Sequence, residues 1–283
     1  MGLIRRSRTE RPEEREGRLT PRDLDLLTTV GRQKVATTDQ LAHLYFGDRS
    51  TASRRLARLV GMGFLKVAVQ NLNTSNLYLL TKKALAVLVR EGVESESLHL
   101  GRVPASEHLE HLRALGDFHA MLAREVAADE ELALDLLLFE HDLRRLSGSP
   151  PPEYLPDLLA RLVRPRLDPL GLAIEIDLGA ESAEFVARTK ARVTVALARE
   201  RRPLFGLDRW RALVVAPARA RLRSLAAAIV AEGGGELWLG TDFGRLQETG
   251  VLGLAFATCA SIAATARADA VAFPLSLLPR GRR

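Results

Sequence analysis

The stretch over residues 48–78 constrains the fold of this chain most strongly, because its hydrophobic pattern changes from a helical period to that of a β-hairpin. In a helix over residues 50–60, the apolar side chains share one side and the polar and basic side chains share the other. Thr51, Arg54 and Arg58 lie on that second side, and these three with Arg55 are the candidate DNA-binding residues of the helix. The pattern therefore predicts a helix that packs through one face and can meet phosphate groups with the other.

A β-hairpin is predicted directly after this helix. Gly61 and Gly63 end the helix, and two runs with strand character follow, over residues 64–69 and 77–80. The segment between the two runs is rich in residues that favour turns. The hairpin side chains that are candidates for contact with phosphate or a minor-groove edge are Lys66, Asn71 and Asn73.

Further helices are predicted on either side of this segment. Leucine and valine recur at helical spacing after Thr20, Thr38 and Thr81, three residues suited to the start of a helix. The last of these helices is predicted to point Leu85, Leu88 and Val89 inward. Residues 18–92 can thus close a small core, and the order of elements resembles a winged helix-turn-helix domain. That resemblance implies DNA binding, whereas a helical bundle with solvated arginines is the alternative.

Positive charge is concentrated in the first third of the chain. Residues 1–92 hold 17 Lys and Arg against 9 Asp and Glu, whereas the other residues hold 24 against 26. A local excess of this kind is expected where the release of counterions from DNA drives binding, so double-stranded DNA is the predicted partner. Arginine and glutamate dominate residues 1–17, a basic leader that is predicted to be disordered and either follows phosphates or only aids solubility.

The composition is that of an ordinary protein with more than one domain. The chain has 283 residues, of which 47% are apolar, enough for two hydrophobic cores. No apolar run is long enough for a membrane span, and the N-terminal residues lack the pattern of a signal peptide. Cys259 is the single cysteine, which excludes an intrachain disulfide and suits the cytoplasm, the predicted location.

A second domain is predicted over residues 105–283, after a linker over residues 93–104. Its first helix carries apolar side chains at three- and four-residue spacing, namely Leu109, Leu112, Leu115, Phe118, Leu122 and Val126. Strands are predicted over residues 132–141, 155–163, 172–178, 211–216 and 236–239, with helices over residues 181–202 and 218–232. The first of those two helices is predicted to bury Phe185, Thr189, Val193 and Leu197. This alternation favours a mixed sheet and an α/β fold class.

Acidic side chains mark the candidate chemistry of the second domain. On a strand, Glu175 and Asp177 would point to one face, and Asp157 would join them from an adjacent strand. Three carboxylates repel one another unless a cation compensates, and oxygen ligands suit Mg²⁺ or Mn²⁺. Asp157, Glu175 and Asp177 are therefore the candidate metal ligands, and these three with Lys190 of the following helix are the candidate catalytic residues. A surface ion-pair network is the alternative. 

Pro156-Asp157, followed by the acidic strand with Glu175 and Asp177 and then a helix, resembles the PD-(D/E)XK nuclease-like superfamily. The resemblance implies acids that hold Mg²⁺, a metal ion that activates water, and a lysine that positions the nucleophile. Asp177 stands where that motif places its lysine. A catalytic role would therefore require Lys190 to act from the helix.

The order of the two domains resembles the replication-relaxation family over residues 18–245. The segments that carry the resemblance are Leu79-Leu80-Thr81-Lys82-Lys83, His108-Leu109, Asp117-Phe118, Leu155-Pro156-Asp157 and Ile174-Glu175-Ile176-Asp177. The resemblance implies a DNA-binding protein of a plasmid, phage or mobile element, acting as a replication accessory or transcriptional regulatory factor.

Three classes of function remain open from the sequence. The first is a DNA-binding accessory or regulatory protein whose α/β domain is a scaffold or an oligomerisation unit, which would make a homodimer. The second is a metal-dependent DNA endonuclease directed by its winged helix, and the third is a protein-interaction module without DNA binding. Salt-dependent DNA binding would exclude the third class, and metal-dependent cleavage of plasmid DNA would separate the first two.

Overall fold

The computed structural model describes residues 19–68, 75–101, 105–150, 152–253 and 255–265. These residues form two compact units, which divide between Gly101 and Ala105. Each unit contains buried apolar clusters of its own. Within the described ranges, no helix is both long and apolar enough to cross a membrane.

Helices and a small antiparallel sheet make up the first unit. In chain order the elements are α1 (Pro21–Gln33), β1 (Ala36–Thr37), α2 (Thr38–Tyr45), α3 (Arg49–Gly61), β2 (Leu65–Ala68), β3 (Leu77–Leu80) and α4 (Lys82–Arg90). Strand β3 lies between β1 and β2 and pairs antiparallel with both. The helix, hairpin and helix from α3 to α4 follow the order that the sequence predicted.

Threonine side chains begin three of these helices. The Thr20 hydroxyl begins α1 by accepting a hydrogen bond from the Asp23 amide at 3.3 Å. Thr37, not Thr38 as predicted, caps α2, because Thr37 keeps an extended backbone whereas Thr38 is already helical. The Thr37 hydroxyl accepts a hydrogen bond from the Gln40 amide at 3.2 Å. Thr81 begins α4, as predicted, by accepting a hydrogen bond from the Ala84 amide at 3.2 Å. Capping of this kind satisfies amide groups that the helix itself leaves without a partner.

The core of the first unit is formed by side chains from α1 to β3 and α4. Its members include Leu26, Leu27, Val30, Leu41, Ala52, Leu56, Leu59, Leu80 and Leu88. Val89 does not join them, contrary to prediction, and is 46% exposed. The buried positions of α4 are Ala84 and Leu88, and Val89 follows Leu88 by a rotation of about 100° around the helix, which turns it outward.

Residues 93–101 pack against the first unit, whereas the sequence placed them in a linker. Leu98 is 7% exposed and lies in the core of this unit. The amide of His99 donates a hydrogen bond to the carbonyl of Gly31 at 2.9 Å. The glycine and acidic residues of this segment resemble a linker, but burial of a leucine side chain outweighs that composition.

A six-stranded mixed sheet organises the second unit. In chain order its elements are α5 (Ser106–Ala127), β4 (Ala133–Phe139), α6 (Glu140–Ser147), β5 (Leu158–Val163), β6 (Leu170–Ile176), α7 (Ala183–Val186), a π-helical turn (Ala187–Ala191), α8 (Arg192–Arg199), β7 (Trp210–Ala216), α9 (Arg219–Ala231), β8 (Trp238–Asp242), α10 (Phe243–Thr249), β9 (Ala257–Thr258) and α11 (Cys259–Ala264). The strands lie side by side in chain order. Strands β6, β7 and β8 are parallel, and the remaining pairs are antiparallel. The predicted α/β fold with a mixed sheet is confirmed.

Apolar clusters cover both faces of this sheet. Ile174 and Ile176 of β6 join the cluster that contains α5, and Ala173 joins the cluster that contains α7 and α9. The predicted apolar stripe of α5 is confirmed, since all six of its side chains are buried. Because β6 is covered on both faces, a charged side chain on this strand is removed from water.

The helix predicted over residues 181–202 is interrupted near its middle. The π-helical turn at Ala187–Ala191 has hydrogen bonds that span five residues instead of four, and it shifts the buried face. Phe185 and Thr189, which were predicted to be buried, are exposed, and Phe185 is 40% exposed. Lys190 lies within this turn.

Candidate nucleic-acid interface and carboxylate cluster

Helix α3 is anchored at its start by Asp48. The carboxylate of Asp48 accepts hydrogen bonds from the Thr51 amide and from the Ser50 hydroxyl, each at 2.8 Å. The hydrogen bond from Thr51 is the main cause that lowers the pKa of Asp48 to about 2. Gly47, with a φ of 73°, makes the turn from α2 into α3. The first turn of α3 is thereby capped, with two of its polar groups satisfied.

The outward face of α3 combines an arginine with small side chains. Between the ends of the helix, its exposed positions are Ser50, Ser53, Arg54 and Ala57. Nη2 of Arg54 donates a hydrogen bond to the hydroxyl of Thr51 at 3.3 Å, so two of the predicted contact residues lie together. Arg58, another predicted contact, is half-buried. A helix with small outward side chains can approach the edges of base pairs closely, and an arginine can reach a guanine or a phosphate.

Arg55 faces inward, contrary to its assignment among the DNA-binding candidates. Its Nε donates to Oδ1 of Asp23 at 2.7 Å, and its Nη2 contacts Oδ2. Asp23 is fully buried and also accepts hydrogen bonds from the amide and hydroxyl of Thr20. Burial alone would raise the pKa of Asp23, but the hydrogen bonds from Arg55 and Thr20 lower it below its usual range. Arg55 therefore joins α3 to α1 and is withdrawn from the outward face.

The hairpin after α3 exposes Lys66. Leu65 is buried and Lys66 is exposed, because successive side chains of a strand point to opposite faces. The antiparallel register places Lys66 opposite Leu79 of β3. Asn71 and Asn73, the other two hairpin candidates, lie outside the described residues.

A polar network that the sequence did not suggest joins α2, α3 and the residues before β3. Nε of Arg49 lies 3.1 Å from Oδ1 of Asp39, and Nη2 of Arg49 donates to the Ser75 hydroxyl at 3.2 Å. That hydroxyl also contacts the Asp39 carboxylate. Arg49 was overlooked because the predicted helix began one residue later. Asp48, a residue type suited to the N-cap, was the signal that would have included it.

Asp157 and Glu175 lie opposite one another on neighbouring strands of the second unit. The antiparallel register pairs Leu158 with Ile174, so Asp157, directly before β5, stands opposite Glu175. Oδ2 of Asp157 accepts a hydrogen bond from the Ile176 amide at 2.8 Å. Glu175 is 2% exposed. The structure thus brings together two of the three carboxylates that the sequence singled out.

Lys190 reaches these carboxylates from the π-helical turn. Its Nζ forms an ion pair with Oε2 of Glu175. Burial alone would lower the pKa of Lys190, but the negative charges of Glu175 and Asp157 raise it overall. Burial raises the pKa of Glu175 to about 8, because the opposing effect of Lys190 is smaller than the cost of burying the charge.

His111 and Tyr154 complete the cluster around Asp157 and Glu175. Nε2 of His111 lies 3.4 Å from Oδ1 of Asp157. Burial lowers the pKa of His111, but the hydrogen bond and charge of Asp157 outweigh burial and raise it. Burial and the neighbouring Glu175 raise the pKa of Tyr154 well above its usual value. Within the described part of the chain, neither the Tyr154 hydroxyl nor Oε1 of Glu175 has a hydrogen bond of ordinary geometry.

Asp177 is held by an arginine instead of joining this cluster, contrary to prediction. Strand β6 ends at Ile176, so Asp177 lies beyond the strand. Nε and Nη2 of Arg221 donate to the two carboxylate oxygens of Asp177 at 2.7 and 2.8 Å. Nη2 also donates to the carbonyl of Glu181 at 2.6 Å. Bidentate pairing of this kind engages both oxygens of the Asp177 carboxylate with a cation.

The donor set therefore does not fit the predicted site for Mg²⁺ or Mn²⁺. No group of three or more His, Cys, Asp or Glu side chains in the described ranges could hold a metal ion. Mg²⁺ requires near-ideal octahedral oxygen ligands and usually binds one or two free carboxylates. Here each carboxylate already has a basic partner, namely Lys190 for Glu175, Arg221 for Asp177 and His111 for Asp157.

The sequence could not assign His111, Tyr154 and Arg221 to these carboxylates. The three residues come from α5, from the loop before β5 and from α9, which are distant along the chain. Only Tyr154 had a local signal, because it precedes Asp157 by three residues. Arg221 is one of several arginines around α9 and carried none.

Two features together define the class of this protein. Its first unit is helical and has an arginine on an outward helix face, and its second unit is an α/β unit with a buried charge cluster. The family model described as replication-relaxation matches residues 27–202, which is more than half of the chain. The chain therefore belongs to the replication-relaxation family. The matched residues include α3 and also Asp157, Glu175 and Lys190. Neither the curated proteins nor the solved structures contain a match to this chain.

Proposed function

We propose that this chain is a DNA-binding protein that acts in replication and that its first unit holds double-stranded DNA as a winged helix. The observation that carries the proposal is the outward face of α3, where Arg54 stands among small side chains. Helix α3 would enter the major groove, and the hairpin with Lys66 would lie along the backbone. Membership of the replication-relaxation family supports a role in replication.

The positions of the arginines on α3 support a division of roles within this helix. Arg55 forms an ion pair with Asp23, whereas Arg54 is exposed. The charge excess of residues 1–92 would favour binding to any DNA sequence through the phosphates. Arg54, beside Ser50 and Ser53, is placed to reach either a phosphate or the guanine edge of a base pair. The proposal places the protein in the cytoplasm of a cell that carries a plasmid, phage or mobile element.

A metal-dependent nuclease of the PD-(D/E)XK type is the second candidate function. The observation in its favour is that Asp157 and Glu175 stand opposite one another, directly before β5 and on β6, and that Lys190 of the π-helical turn reaches Glu175. The pairing of Asp177 with Arg221 weighs against it, since it removes one expected ligand. We therefore assign the second unit a non-cleaving role, either as a scaffold or as the contact surface of a homodimer.

A salt titration of DNA binding tests the main proposal. Fluorescence anisotropy would follow the full chain on a mixed-sequence duplex, with the double variant Arg54→Ala/Arg58→Ala beside the wild type. We expect weaker binding and a salt slope reduced by about one to two, because each lost phosphate contact removes a little under one unit. The matched control, Lys82→Ala/Arg90→Ala, removes two charges from α4 and should leave the slope close to that of the wild type.

Two results would change the proposed function. A folded Arg54→Ala/Arg58→Ala protein with unchanged affinity and salt slope would reject α3 as the DNA-binding element. Cleavage of supercoiled plasmid by the wild type in Mg²⁺ or Mn²⁺, lost in Glu175→Gln, would establish the second candidate instead.

A further inference from the structure

We propose that Lys190 is the built-in cation of the carboxylate cluster, so that the second unit holds two converging carboxylates without binding a divalent metal ion. The Lys190 ammonium contacts Oε2 of Glu175 and also interacts with Asp157. It therefore supplies, beside Glu175, the positive charge that a metal ion would otherwise supply.

Each acidic side chain around the cluster has a basic partner. The acidic groups are Asp157, Glu175 and Asp177, and the basic groups are His111, Lys190 and Arg221. Lys190 and Arg221 are positive at neutral pH. A divalent ion would add two positive charges beside these two cations. It would also lose hydration without gaining uncompensated ligands.

The fold around the π-helical turn supports the inward position of Lys190. Phe185 and Thr189 precede Lys190 in the chain and are exposed. The Lys190 side chain, in contrast, is only 30% exposed and reaches the buried Glu175. The Thr194 hydroxyl donates to the carbonyl of Lys190 at 3.0 Å. The same hydroxyl accepts a hydrogen bond from Nε1 of the buried Trp238 at 2.8 Å. The turn that carries Lys190 is thus tied to the core and to β8.

Removal of the Lys190 charge should expose the latent metal site. Oε1 of Glu175 has no hydrogen bond of ordinary geometry among the described residues, and the loss of Lys190 would free Oε2 as well. Asp157 would then be the second carboxylate beside the vacated position. Two adjacent carboxylates without a basic side chain between them are a ligand set that Mn²⁺ can bind together with water.

The test is a Mn²⁺ titration of the full chain, followed by electron paramagnetic resonance and by thermal unfolding. Wild type and Lys190→Arg both retain a cation and should show no saturable binding that depends on Glu175. Lys190→Met removes the charge but keeps an unbranched side chain, and it should bind Mn²⁺ at least about tenfold more tightly than the wild type. Mn²⁺ should raise the melting temperature of this variant alone. The double variant Lys190→Met/Glu175→Gln should lose the binding again.

Two outcomes would overturn the inference. Saturable Mn²⁺ binding by the wild type that disappears in Glu175→Gln would show that Lys190 does not exclude the metal ion. A folded Lys190→Met protein that binds no Mn²⁺ would show that something other than Lys190 does. If Lys190→Met unfolds the second unit, Lys190→Gln removes the charge instead, and the same two outcomes apply to it. DNA binding through α3 is independent of both results, so this inference and the proposed function can fail separately.

Discussion

The two units use basic side chains in opposite ways. On α3 of the first unit, Arg54 is exposed on a face of small residues, where a partner can reach it. In the second unit, Lys190 is directed to a buried carboxylate, and Arg221 is engaged by Asp177. The difference teaches that the number of basic residues does not identify a binding surface. Their burial and their carboxylate partners decide whether their charge is available to a partner.

Helix α3 repeats this contrast within a single element. Arg54 and Arg55 are neighbours in the chain, yet Arg54 is exposed and Arg55 contacts the fully buried Asp23. An exposed ion pair contributes little to stability, whereas the loss of one partner from a buried pair is costly. The two arginines are therefore expected to give opposite phenotypes when they are replaced.

The largest expected effect compares the replacement of a basic side chain by methionine in the two units. Above pH 8, where Glu175 is ionised in the wild type, Lys190→Met should lower the free energy of unfolding of the second unit by about 3–5 kcal/mol, because it leaves the buried Glu175 without its partner. Arg54→Met should change the stability of the first unit by less than about 0.5 kcal/mol. Urea unfolding measures both effects, and tryptophan fluorescence isolates the second unit because Trp210 and Trp238 both lie there. Equal losses would contradict the distinction between the two basic residues.

The next effect separates Arg55 from Arg54. Arg55→Ala should destabilise the first unit by about 2–3 kcal/mol, since Asp23 keeps its Thr20 hydrogen bonds but loses its cation. Circular dichroism during urea unfolding would measure this loss. At temperatures where the variant remains folded, its salt slope of DNA binding should match that of the wild type. A reduced slope would place Arg55 among the DNA contacts after all.

A third effect concerns the response to pH. The pKa of Glu175 is raised from 4.5 to about 8, so the folded state binds a proton more tightly than the unfolded state between these values. Stability should therefore fall as pH rises from about 4.5 to about 8, by at most about 1.4 kcal/mol per pH unit. His111, with its raised pKa, adds a loss in the same direction above pH 6.5.

Two comparisons test this pH response. One is the Glu175→Gln variant of the second unit, and the other is Asp48 of the first unit, whose pKa is shifted in the opposite direction. Glu175→Gln should flatten the decrease, as measured by thermal unfolding of the second unit across the pH range. Asp48 of the first unit has a lowered pKa, so its contribution is present above 3.8 and is lost as pH falls toward about 2. A decrease of equal slope in Glu175→Gln would assign the pH response to other groups.

The smallest effect concerns the hairpin. Lys66→Ala should reduce the salt slope of DNA binding by about one unit or less, because a single exposed lysine can neutralise a single phosphate. Its effect on stability should stay within about 0.5 kcal/mol, since the side chain is exposed. Anisotropy titrations at several salt concentrations would measure the change. A slope identical to that of the wild type would show that Lys66, on the first strand of the hairpin, does not contact DNA.

Local patterns predicted those elements whose cause is local. The hairpin strand at Leu77–Leu80 and the cap at Thr81 follow from neighbouring residues, and both were predicted. The buried stripe of α5 follows from helical spacing. The π-helical turn was not predicted, because a helical wheel assumes a constant period. Residues 93–101 were taken for a linker, because the burial of Leu98 depends on a surface formed by other elements.

The sequence by itself determined the α/β fold class, the order of helix, hairpin and helix from α3 to α4, the amphipathic character of α3 and the presence of Glu175 on an apolar strand. These properties depend on the spacing of residues within one element. Only the tertiary structure decided that Arg55 turns to Asp23, that Arg221 holds Asp177 and that Lys190 and His111 balance Glu175 and Asp157. Such pairs join residues that are distant along the chain. Whether a charge is free therefore depends on how the elements pack, which the spacing within an element does not record.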